Sequence, residues 1–164
     1  NLSVKNRREI GDLIFQSLPV DFLSKNCEVE AHAVINNQLF FAVKPALDGF
    51  NKFRIGVIRD VSRLFAGEDV EVEWRSPFEL KFESELLITD MIPRADSFIL
   101  ATSCKGRSCS AIWQISESVV KSIYVSDEKH LEGIDITPHK VLYGVHDNVK
   151  TPHFFNFQLE NEDF

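Results

Sequence analysis

The sequence predicts an all-β fold of successive four-stranded antiparallel units, preceded by one N-terminal amphipathic helix. Three observations carry that expectation. The 164-residue chain holds 14 phenylalanines against 7 glycines and 1 methionine, and aromatic residues favour strands and bring large buried areas. From Cys27 onward the apolar residues alternate or come in short runs, broken by turn residues such as NNQ, ADS, KGRS and DN, which is how strands and hairpins read. The same strand pattern also recurs along the chain.

The first element is the helix. In residues 6–19, NRREIGDLIFQSLP, Ile10, Leu13, Ile14 and Leu18 fall at helical spacing on one face, with Phe15 beside them. Asn6 suits the N-cap with Glu9 three residues on, and Pro19 stops the helix. Residues 1–26 therefore form a helix and linker, and residues 27–164 a β-repeat domain.

The repeat is clearest in the second half. Residues 85–127 and 130–159 can be laid against each other so that Pro93 meets Pro138, Leu100 meets Leu142 and Trp113 meets Phe157. Each unit is a strand ending near proline, a short turn, a second strand, a polar hairpin and a third strand carrying an aromatic; VVKSIYV adds a fourth strand to the first of the two. A looser copy precedes them at residues 31–59, with DVEVEWR, residues 69–75, as its fourth strand. SPFELKFESE, residues 76–85, places Phe78, Leu80 and Phe82 at alternate positions among charges, as an edge strand or inserted loop does.

These units resemble the blades of WD-repeat β-propellers, each a four-stranded antiparallel sheet with a period of roughly 40–45 residues. His130, Pro138 and Asp147 stand where that family places a histidine before the first strand, a proline after it and an aspartate in the hairpin. SAIWQI matches a third strand ending in Trp-Asp, with Gln114 in place of the aspartate; no unit has the Gly-His pair, and the third lacks a tryptophan. A blade packs on both faces, so its inner strands read as nearly continuous apolar runs, as FFAV, SFILA and VLYGV do. Three units do not close a ring that takes about 4 to 8. The chain is then a fragment, or a partner chain completes the propeller, or the sheets form a β-sandwich instead.

The resemblance implies a non-catalytic protein–protein interaction scaffold within a multiprotein complex, in the cytoplasm or nucleus. Charge points the same way: a net −7 and a pI near 5.2 argue against a nucleic-acid or anionic-membrane partner, which would need a basic face. No apolar run reaches the roughly 18 residues of a membrane span. The expected contact residues are Ile10, Leu13, Ile14 and Leu18 on the helix face, with Phe78 and Phe82 in the inserted segment. The competing reading for each is that it covers the chain's own core. The acidic cluster Glu68, Asp69, Glu71 and Glu73 reads as a solvated strand face.

The sequence offers no catalytic motif. GxSxG, HExxH, GxGxxG and GxxxxGK[ST] are all missing, so neither an enzyme nor a cofactor is expected. The alternative function is a small β-domain enzyme or metal-binding protein using His139, His146, His153 and Asp147, which fall in one unit and are ligand types. Cys104 and Cys109 flank the KGRS turn and, in a reducing compartment, read as small apolar residues.

Overall fold

The structure, a computed structural model, describes residues 10–19, 27–45, 51–127, 130–147 and 152–159. The expected Asn6–Glu9 capping box lies outside them. Nearly all regular structure is antiparallel sheet. The chain divides into two compact units, residues 1–48 with 53–77 and residues 49–52 with 78–164.

In the first unit, α1 (Gly11–Ser17) precedes the strands β1 (Cys27–Ile35), β2 (Gln38–Pro45) and β3 (Lys52–Ile58), then α2 (Val61–Ala66) and β4 (Glu73–Trp74). The sheet is a meander in the order β1-β2-β3-β4. Asn36 and Asn37 join β1 to β2, both in the left-handed region at φ 50° and 62°, as a two-residue turn of the primed type demands. Ile14 of α1 and Leu18 just after it are buried against Leu39, Phe41 and Val43 of β2, Ile58 of β3 and Leu64 of α2. Each such side chain contributes about 1.5–3 kcal/mol when taken from water, which is why this short helix has a fixed place.

The helix α2 is not expected from the sequence, and its ends explain it. Asp60 accepts from the Arg63 amide at 3.0 Å, Asn37 donates to the same carboxylate at 2.9 Å, and Gly67 closes the helix at φ 84°. The Arg63 amide, and then Asn37, hold the Asp60 carboxyl below its ordinary pKa. A depressed carboxyl contributes stability above its unfolded pKa and loses it as pH falls through the folded value. Asp60→Asn keeps a capping oxygen but removes the titration, so its acid limb of stability against pH is expected to be shallower than the wild type's in denaturation series from pH 7 to pH 2. Superimposable limbs would show that the carboxylate plays no such part.

The second unit contains β5 (Phe78–Glu79) and two sheets. One is the meander β6 (Leu86–Pro93), β7 (Ser97–Cys104), β8 (Ser110–Ser116) and β9 (Val120–Ser126); the other is β10 (Leu131–Ile136), β11 (Val141–His146) and β12 (His153–Gln158). Residues matched in the self-comparison form the same cross-strand pair in both sheets: Leu100 lies opposite Trp113, and Leu142 opposite Phe157. The first strand of every sheet also slips its register by one residue, at Glu30, Thr89 and Glu132. Such bulges twist a strand and re-aim its side chains, and their recurrence is a structural counterpart of the sequence repeat.

One face of the four-stranded sheet packs on one face of the three-stranded sheet. Ile99, Ala101 and Ile112 meet Leu131, Ile134, Leu142 and Leu159, and Tyr124 of β9 stacks on Phe155 and Phe157 of β12 with centroids at 4.7 and 5.5 Å. Polar ties run beside this core. Asp90 accepts from the Ile134 amide at 2.9 Å and the Met91 amide at 2.8 Å, and the hydroxyls of Ser103 and Thr89 both donate to the Leu131 carbonyl. Cys104 and Cys109, expected as free thiols, are joined by a disulfide across the β7–β8 hairpin with Cα atoms 5.3 Å apart, inside the range that bond requires.

Candidate functional site

The alternation of β11 and β12 builds the site. Leu142, Gly144 and His146 point to the packed face, as do Phe155 and Phe157 across from them; Tyr143, Val145, Phe154 and Asn156 point the other way. Gly144 is where it is because the Phe155 ring lies over it: a Cβ there would meet ring carbons at 2.2 and 2.4 Å. On the outer face Val145 stands opposite Phe154. Tyr143 is 45% exposed and Phe154 77% exposed, so the last sheet shows water two aromatic side chains beside half-buried Val145, with Phe154 on the edge strand.

His146 faces inward, 2% exposed, with its ring 5.0 Å from that of Phe155. Among the described residues neither of its ring nitrogens has a hydrogen-bond partner. His153 lies directly opposite it, while His139 precedes the start of β11 and His146 ends it. At ~3.3 Å per residue the two are about 20 Å apart. Asp147 is exposed, and its amide bonds to the His130 carbonyl at 2.8 Å. The four residues of the metal or acid–base alternative therefore do not converge, and among the described residues no group of three or more His, Cys, Asp or Glu is placed to hold a metal ion.

The expected contact residues sit elsewhere. Ile14 and Leu18 are buried in their own unit, and Ile10 and Leu13 pack partly buried against the same cluster, so the sheet beneath occupies the apolar face of α1. Phe82 is half-buried with its ring edge-on to Trp113 at 6.0 Å, Leu80 is 1% exposed, and Phe78 is half-buried. This segment is stapled by Asn51, which accepts from the Leu86 amide and donates to the Ser84 carbonyl. Of the acidic cluster, Glu73 pairs with Arg59 and Glu68 with Arg63, all on the surface; the Arg59 hydrogen bond lowers the Glu73 pKa. The outward strip of Tyr143, Val145 and Phe154 was not among the expected contacts, although strand alternation in VLYGVH and HFFNFQ puts it on one face.

Among the described residues no helix is long and apolar enough to cross a membrane. No family model, curated protein or solved structure matches the chain.

Proposed function

We propose that the chain is a non-catalytic protein-interaction scaffold made of blade-like sheets in the manner of a WD-repeat propeller, and that a protein partner covers the outer face of β10–β12. The observation that carries this reading is the strip of exposed Tyr143 and Phe154 with half-buried Val145 on a sheet whose other face is already packed. Exposed apolar strips of this kind mark protein contacts, and aromatic residues at the centre of an interface carry much of its energy. The recurring meander, with its bulge in the first strand of every sheet, supports the blade comparison; a partner on the outer face would continue the stack.

Tyr143→Asp with Phe154→Asp tests the reading, because it puts charge on the strip and leaves the packed face intact. A defined protein retained by the immobilised wild-type chain from its native extract is expected to be lost from this variant, and kept by a control in which the remote surface residue Glu117 is replaced. Identical retained sets for wild type and variant would refute the assignment.

A further inference from the structure

The open edge of β12 carries an inference separate from the outer face. The Leu159 amide donates to the Lys140 carbonyl at 2.9 Å, which fixes the phase of the β11–β12 ladder: His153, Phe155 and Phe157 turn their backbone groups toward β11. Phe154, Asn156 and Gln158 therefore turn theirs away from the sheet, and no strand among the described residues pairs with them. Edge strands are ordinarily blunted by charge, proline or a bulge. β1 has Glu28, Glu30 and a bulge, and β9 has Lys121, but β12 reads HFFNFQ in unbroken register.

We propose that β12 pairs edge to edge with β12 of a second copy of this chain, antiparallel about a two-fold axis at Asn156. The strand is self-complementary in this register. Asn156 faces Asn156 of the copy, and Phe154 faces Gln158, so every outward N–H and C=O of the three residues finds a partner. Phe155 then stands opposite Phe157 of the copy, in the closer, non-hydrogen-bonded type of pair where side chains touch most. Both phenylalanines lie on the face that already holds the Tyr124 stack, so pairing extends one aromatic ladder across the axis. The alternative register, centred on Phe155, leaves Gln158 opposite Pro152, which has no N–H to give. An uncharged strand meets no like-charge penalty against its own copy, and a two-fold contact of this type closes on itself.

The test is solution mass by light scattering over a concentration series, with backbone folding followed by circular dichroism. The wild-type chain is expected to approach twice its 18.8 kDa monomer mass as concentration rises. Asn156→Pro removes an N–H that makes no bond within the sheet, and Asn156→Lys keeps the N–H but sets two lysines face to face at the axis; Asn156→Asp does the same with carboxylates. Each is expected to weaken self-association at least about tenfold, a change of about 1.4 kcal/mol, with the monomer still folded. An equimolar mixture of Asn156→Lys and Asn156→Asp is expected to restore the dimer, because only the pairing that centres on residue 156 brings these side chains together. A wild-type chain that stays monomeric throughout overturns the proposal. So does a dimer that ignores all three substitutions, which would locate self-association elsewhere, or a charge pair that fails to restore it. None of these outcomes bears on whether another protein binds the outer face, since that contact is read from Tyr143 and Phe154.

Discussion

Replacing Gly56 by alanine is expected to destabilise the first unit by about 1–3 kcal/mol, the cost of forcing an extra methyl into a packed core. Gly56 lies opposite Phe41 in the β2–β3 ladder, and a Cβ there would meet the Phe41 ring at 2.3 and 2.4 Å. Phe41 cannot step aside: it is 1% exposed and its ring is held edge-on by Trp74 at 5.5 Å. Gly144 has the same relation to Phe155, but Phe155 is only half-buried where Phe41 is 1% exposed. Gly144→Ala is therefore expected to cost less than Gly56→Ala, and the order of the two denaturant midpoints checks the argument. Adding Phe41→Leu to Gly56→Ala should recover part of the loss, giving a favourable coupling energy in the double-mutant cycle. A Gly56→Ala chain as stable as wild type would mean that the ring does not occupy that space.

Asn51→Ala should have an effect at least as large, about 3 kcal/mol. The side chain is buried, 1% exposed. It accepts from the Leu86 amide at 2.7 Å and donates to the Ser84 carbonyl at 2.9 Å, while its backbone carbonyl accepts from the Leu80 amide at 3.0 Å. Alanine removes both of these side-chain bonds, one from the buried Leu86 amide and one to the half-buried Ser84 carbonyl, at about 1–3 kcal/mol each before relaxation. It also occupies a left-handed backbone, φ 69°, where asparagine is better tolerated than most residues. Asn51→Gly removes the backbone penalty but not the lost bonds, so equilibrium unfolding should place it between wild type and alanine. Equal stability of Asn51→Gly and wild type would show that the side-chain bonds contribute nothing net.

The strands were legible because both β-signals, alternation and short apolar runs, survive in one sequence. The repeat aligns Leu100 with Leu142 and Trp113 with Phe157, and the ladders place these residues in equivalent pairs, Leu100 opposite Trp113 and Leu142 opposite Phe157. The helix α1 was legible from Ile10, Leu13, Ile14 and Leu18. Its role was not, since an apolar helix face looks the same whether its own sheet or a partner covers it. The six-residue α2 was missed because so short a segment has no measurable period. Its signal was in its ends, Asp60 and Gly67. The Cys104–Cys109 bond was set aside on an assumption about compartment, although the two residues flank a single hairpin turn. The histidine group failed for a geometric reason: residues close in sequence stand far apart when an extended strand separates them, as β11 separates His139 from His146. Phe78 and Phe82 alternate as surface contacts would, yet Leu80 between them is the buried anchor and the whole strip is stapled inward by Asn51.

The most direct measurement is a structure of the chain bound to the protein it retains. A partner seated on Tyr143, Val145 and Phe154, with a sheet stacked against the outer face of β10–β12, is the expected result. A partner bound elsewhere, with that strip still open to water, would contradict the assignment.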